Sequence, residues 1–181
     1  VCSPVQVRLD SERDGECEMP TGLRARVEQA HEFASHIHPA PEQQDARTSL
    51  HALAHILDHL QRLLDRCEEQ QERLRTLARV PELHETAAEH RATVEQLLIH
   101  HAEHEAGQAA GLAADYDALL SGRSEQLRGQ VMSAMTAGTL DREEAMAQLE
   151  AIRWVKRVAS HQASLFHHWA ELDCSAHHRR S

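Results

Sequence analysis

Residues 139–169, TLDREEAMAQLEAIRWVKRVASHQASLFHHW, decide the fold. Their Thr-Leu-Asp opening is followed by acidic residues, which the helix macrodipole favours in a first turn. At about 100° per residue, one face of the predicted helix is apolar and the opposite face is basic. This pattern is typical of a helix that buries one stripe in a bundle. The apolar face holds Ile152, Val155, Val158, Ala159, Phe166 and Trp169, and the basic face holds Arg153, Lys156 and Arg157.

A second stretch repeats this pattern earlier in the chain. Residues 49–67, SLHALAHILDHLQRLLDRC, align without a gap with residues 151–169. The apolar positions of the two stretches coincide, and His59 aligns with His161. We therefore interpret the chain as two similar helical half-units, of which the first lacks its opening helix.

Residues 133–169, SAMTAGTLDREEAMAQLEAIRWVKRVASHQASLFHHW, resemble the end of a known helical region. It is the PhoU-like region that follows the membrane domain in bacterial Na+/phosphate cotransporter-type proteins. Residues 51–66, HALAHILDHLQRLLDR, resemble the matching helix of its first half. The resemblance extends over residues 125–169 and 46–80.

This resemblance implies a non-catalytic regulatory or accessory domain of a sodium-dependent phosphate transporter-like membrane protein. The domain would lie on the cytoplasmic side of the bacterial inner membrane and act by helix–helix docking in phosphate uptake or its regulation. Its implied partner is an upstream transmembrane transporter domain of the same chain, with paired hydrophobic repeats ahead of Val1, and a homodimer is a further possibility. Two alternatives are a metal-binding helical bundle that uses histidine clusters and a stand-alone PhoU-type phosphate-signalling regulator.

Composition predicts an all-α antiparallel bundle of about five helices. The 181 residues suffice for one domain with a sizeable core, and aromatic residues make up only 3%. The net charge of −10 argues against a nucleic-acid partner. The four cysteines form no CxxC pair, which excludes a zinc ribbon. Their even number permits disulfides, but a large helical core does not need them, so we expect reduced thiols. No apolar run approaches the ~20 residues that a membrane span needs.

The chain divides into a lead-in at residues 1–21, a bundle at 22–173 and a disordered tail at 174–181. Within the lead-in, VQVRLD alternates like a short strand. Prolines and glycines predict where the helices end. Gly107 and Gly111 predict either a kink or a close helix contact. The predicted helices cover residues 22–38, 42–79, 82–120 with that interruption, 124–136 and 139–169.

Sixteen histidines are the most unusual feature of the composition. His51, His55 and His59 form an i, i+4, i+8 stripe opposite the apolar centre of their helix. We expect this stripe to be a solvated polar face, with a surface metal or anion site as the alternative. His161 is expected at the edge of the core as a packed, hydrogen-bonded side chain.

His100 and His104, with Glu103 beside them, form the candidate metal site. Two histidines four residues apart on one helix can hold the same ion, such as a weakly bound Zn or Fe. A stable site needs further ligands from another helix. No other cofactor is predicted.

Known cluster and enzyme signatures are missing from the sequence. A ferritin-like centre needs two Glu-x-x-His motifs, and only Glu28–His31 fits. PhoU proteins hold metal clusters with (Glu/Asp)-x-x-x-Asp repeats, and only Asp10–Asp14 satisfies that pattern. There is neither a glycine-rich phosphate loop nor a nucleophile elbow, so we predict no enzymatic activity.

Overall fold

The computed structural model describes residues 22–68 and 71–178, and side chains as far as residue 174. The described residues form helices and short turns without a β-strand, which confirms the all-α bundle. The six helices are α1 (Leu23–Ser35), α2 (Gln44–Glu68), α3 (Gln71–Arg79), α4 (Pro81–Ala102), α5 (Ala106–Thr136) and α6 (Arg142–His178). The predicted helix over residues 42–79 corresponds to α2 and α3, between which residues 69–70 are not described.

Helix α6 is the common partner of the bundle. It packs most extensively on α5 and α2, and it also contacts α3 and α4, whereas α1 packs on α2. The face predicted to be apolar is the one that the bundle covers. Its buried side chains are Ala145, Ala151, Ile152, Val155, Ala159, Leu165 and Phe166.

The core consists of three adjoining clusters. One joins α3, α4, α5 and α6 around Leu77, Leu120 and Val155. The second joins the end of α4, the start of α5 and the second half of α6 around Leu97 and Phe166. The third lies between α1 and α2 and contains Val27, Ala34, Leu57 and Leu64.

Both ends of α6 differ from the sequence prediction. The Asp141 carboxylate accepts a hydrogen bond of 2.9 Å from the Glu144 N–H, so the helix begins at Arg142 rather than at Thr139. At the other end α6 continues to His178, where a disordered tail was predicted from residue 174. The predicted lead-in at residues 1–21, including its strand-like segment, lies outside the described residues.

The glycines in and after α5 predicted the end of this helix correctly but not its course near Gly107 and Gly111. Gly138, with φ of 71°, follows the end of α5 as predicted. In contrast, α5 runs without interruption through Gly107 and Gly111, and the break lies earlier, between Ala102 and Ala106. A Cβ atom added at either glycine would meet nothing within 4 Å, so neither serves a close helix contact.

We expect Gly111→Ala to stabilise the protein by roughly 0.5–1 kcal/mol, because alanine restricts the unfolded chain and favours helix. Denaturant unfolding measures the change. Gly138→Ala is the matched control and should destabilise the protein, because its positive φ is strained for a residue with a Cβ atom. Destabilisation by Gly111→Ala would show that the helix bends at this residue.

Ala151→Leu should destabilise the protein by about 1–3 kcal/mol, because Ala151 is fully buried in the α6 seam and leaves no room for three more carbon atoms. Ala114→Leu on the exposed side of α5 is the control and should be nearly neutral. Equal effects of the two changes in thermal melts would contradict the assignment of α6 as the packed centre.

Candidate functional site

Helices α2 and α6 pack in antiparallel directions, and we call the contact between them the seam. At one end the Trp154 Nε1–H donates a hydrogen bond of 3.2 Å to the Arg66 carbonyl oxygen. At the other end the rings of His55 and His168 stack with centroids 4.5 Å apart. Between these two contacts the seam covers α2 from His55 to Arg66, about half of the helix.

Six histidines meet along the seam and form what we call the histidine cluster. Helix α2 supplies the predicted stripe, and α6 supplies a second group. Their ring contacts are continuous from the end of the seam to its middle, with centroid separations between 4.4 and 5.9 Å. The members are His51, His55 and His59 of α2 and His161, His167 and His168 of α6.

The polar atoms of the cluster are organised by two close contacts. The Nε2 atoms of His51 and His55 are 3.2 Å apart, so in the neutral pair one Nε2–H donates to the other ring. On α6, His168 Nδ1 is 2.8 Å from a Glu171 carboxylate oxygen. Because an ionised carboxylate only accepts, His168 is the donor in this hydrogen bond. His167 Nε2 approaches the other Glu171 oxygen at 3.6 Å.

Burial and hydrogen bonding shift several pKa values at the seam. Burial lowers the pKa of His59 and of His161, because the charged imidazolium loses hydration there. The hydrogen bond from His168 lowers the pKa of Glu171. The hydrogen bond from Arg62 lowers the pKa of Asp58. At neutral pH the His59 and His161 rings are thus uncharged, while the Asp58 and Glu171 carboxylates are ionised.

The predicted solvated face of α2 is therefore wrong for two of its three histidines. His51 is exposed, but His55 and His59 are half-buried against α6. The reason is that α2 lies between two helices, with α1 on its leucine face and α6 beside the histidine stripe. His161 lies half-buried at the core edge and faces His59 at a centroid distance of 5.6 Å.

The end of α4 alters the metal site that the sequence predicted from His100, His104 and Glu103. The helix ends at Ala102, and His104 has a positive φ of 59°. Backbone hydrogen bonds from Glu105 to His100 and from His104 to His101 form a Schellman turn. His104 therefore does not lie one turn beyond His100 on a helix, as the prediction required.

A different group forms at this turn. His100 Nδ1 is 2.7 Å from a Glu105 carboxylate oxygen, and Glu103 lies close enough that one ligand atom from each falls within 4.8 Å of the others. His104 instead borders a small cleft with His101 and Trp169. Glu105 thus takes the place beside His100 that the sequence pattern predicted for His104.

Two further features, a cleft and a group of ion pairs, lie elsewhere in the bundle. An open cleft of about 320 Å3 lies between the start of α4, the end of α5 and the start of α6, with Leu83 and Val131 among its lining residues. Arg123 on α5 bridges Glu85 and Glu89 of α4, at 2.8 and 2.6 Å. These two ion pairs join α5 to α4.

Among the described residues, no helix combines the length and apolar character needed to cross a membrane.

No protein-family model, curated protein or solved structure matches the chain. The resemblance to PhoU-like regions therefore rests on the sequence of residues 46–80 and 125–169 alone.

Stability should fall as the pH decreases below the ordinary histidine value of about 6.5. Burial lowers the pKa of His90, which stacks on Tyr116 between α4 and α5. The unfolded chain thus takes up this proton at a higher pH than the folded protein. The stabilisation is fully present above the unfolded pKa and declines as the pH falls towards the folded one. Thermal melts between about pH 7 and about pH 5 measure the decline.

His90→Phe should make that decline shallower, because phenylalanine fills the same space without a proton to bind. His84→Phe removes an exposed histidine from the same helix and is the control that should leave the decline unchanged. If both variants follow the native protein, His90 does not contribute to the pH dependence.

Proposed function

We propose that this chain is a non-catalytic accessory domain of a sodium-dependent phosphate transporter-like membrane protein. It docks by helix contacts on the cytoplasmic side of the transporter domain and regulates phosphate uptake. The proposal carries forward the family resemblance, which lies mostly on residues of α6.

The observation that carries the proposal is the position of α6 in the fold. The helix that resembles the end of a PhoU-like region is the one on which α2, α3, α4 and α5 all pack. The resembling segment is thus the centre of the bundle and not a peripheral helix. The second resembling segment lies on α2, which has the next largest contact with α6.

Exposed apolar side chains supply surface for docking by contact. Leu98 on α4 is 57% exposed, Leu119 on α5 is 59% exposed, and Phe33 on α1 is 70% exposed. Single exposed apolar residues are common on proteins and do not by themselves indicate docking. They are positions at which docking can be tested by substitution. A charge introduced at these positions alters the surface and leaves the core untouched.

The double substitution Leu98→Glu and Leu119→Glu should change phosphate uptake by the whole transporter-like protein that contains this chain. The measurement is sodium-dependent uptake of radioactive phosphate by cells, as a function of external phosphate. We expect the response to external phosphate to be lost while the protein remains folded and in the membrane. The physical reason is that a buried contact cannot accommodate two unpaired carboxylates.

Gln96→Glu and Ala118→Glu together form the matched control. They add the same charge to exposed positions on the same two helices and should leave uptake as in the native protein. Native uptake in both double variants would contradict docking through these helices. A coding sequence without membrane-spanning helices ahead of this region would overturn the proposal and favour the stand-alone regulator, whose partner would be an ATP-driven phosphate importer.

A further inference from the structure

We propose that the histidine cluster binds one divalent transition-metal ion of the zinc class between α2 and α6. His51 and His55 from α2 and His168 from α6 are the ligands, and Glu171 orients His168. The site is independent of the proposed function. It differs from the predicted site at His100 and from the carboxylate motifs that PhoU proteins use.

The first observation is the spacing of the His51 and His55 nitrogens. Their Nε2 atoms are 3.2 Å apart. Two nitrogens that each lie about 2.0–2.1 Å from a tetrahedral zinc ion are separated by roughly 3.3 Å. The separation of the pair therefore matches that of two nitrogens bound to one shared ion. For both Nε2 atoms to bind the metal, the ring that donates in the metal-free pair carries its proton on Nδ1 instead of Nε2, so that both Nε2 lone pairs are available.

The second observation is a third imidazole from the opposite helix. The His168 ring stacks on that of His55, with centroids 4.5 Å apart and an angle of 14° between the ring planes. Parallel rings direct their nitrogens side by side rather than towards one point. A rotation of the His168 side chain that turns its Nε2 towards the His51–His55 pair is thus needed for ligation.

The third observation is the contact between His168 and Glu171. The Nδ1–H of His168 donates to the Glu171 carboxylate at 2.8 Å, which leaves Nε2 as the free ligand atom of the ring. A carboxylate behind a metal-bound histidine fixes the tautomer and makes the imidazole a better ligand. Glu171 lies on the exposed side of α6.

Two competing groups are less suited to zinc. His167, His168 and Glu171 have one ligand atom each within 4.8 Å of the others, but they all belong to one helix and leave the His51–His55 pair unused. At the end of α4, His100 lies with Glu103 and Glu105 in a group that has one imidazole and two carboxylates. Three imidazoles from two helices are the set that zinc prefers.

The test is calorimetric titration of the tag-free chain with zinc chloride in a buffer that does not bind metal. We expect one saturable site in the native protein and its loss in His51→Ala with His55→Ala. Glu171→Gln removes the orienting carboxylate and should weaken binding by about 10–100-fold. Zinc should also raise the melting temperature of the native protein, because the ion joins α2 to α6 in the folded state alone.

Cobalt provides a readout that a purely structural role would not change. The visible absorption of bound Co2+ reports tetrahedral nitrogen ligation, and His168→Ala should alter that spectrum. Circular dichroism of each variant without metal tests whether it folds. Should a double alanine variant unfold, His51→Gln with His55→Gln keeps the polar contact at the seam while removing the imidazoles.

Two exposed histidines outside the cluster provide the control for adventitious binding. His31→Ala with His84→Ala removes the same number of imidazoles and should leave zinc binding at the native affinity. The proposal is overturned if the native chain shows no saturable site or if the control variant loses it equally. It is also overturned if binding survives the loss of His51 and His55 and disappears with His167→Ala, which would place the ion on α6 alone.

Discussion

The continuous apolar face of α6 is the constraint on which the rest of the structure depends. Four helices, α2, α3, α4 and α5, pack on α6. Buried Ala145, Ala151 and Ala159 keep it narrow, so that α5 approaches closely along most of its length. Larger side chains complete the contact where α6 meets α2 and α4, as Phe166 does. A bundle built in this way has one shared interior, so a change at the centre of α6 affects several helix pairs at once.

The position of α2 explains why histidines occur where a simple bundle would place leucines. Leu57 and Leu64 fill the contact with α1, while the residues at the edge of that face must meet α6 and water together. Histidine suits such a boundary, because its ring packs like an aromatic side chain and its nitrogens can form hydrogen bonds, as those of His51, His55 and His168 do. Burial then favours the neutral ring at His59 and His161. The seam is therefore held by packing and by polar contacts between α2 and α6.

Sequence reasoning predicted the core better than the site for a physical reason. The buried face of α6 follows from a period repeated over many residues, so one misplaced residue changes little. The start of α4 at Pro81 and the end of α5 before Gly138 follow from backbone chemistry that those residues impose. The candidate metal site at His100 required instead that α4 continue as a helix as far as His104. A Schellman turn with His104 at the position that glycine usually takes ends the helix without a local sequence signal, and Glu105 replaces His104 beside His100.

The histidine seam did have a signal in the sequence, although a single helical wheel could not show it. A wheel describes one helix and assigns every side chain off its apolar arc to solvent, whereas α2 has a neighbour on both sides. The internal alignment pairs residues 49–67 with 151–169 and places His59 against His161. In the structure these two rings face each other across an antiparallel crossing, with centroids 5.6 Å apart. The two aligned stretches thus meet near equivalent positions in this fold, although the alignment by itself does not require them to pack on each other.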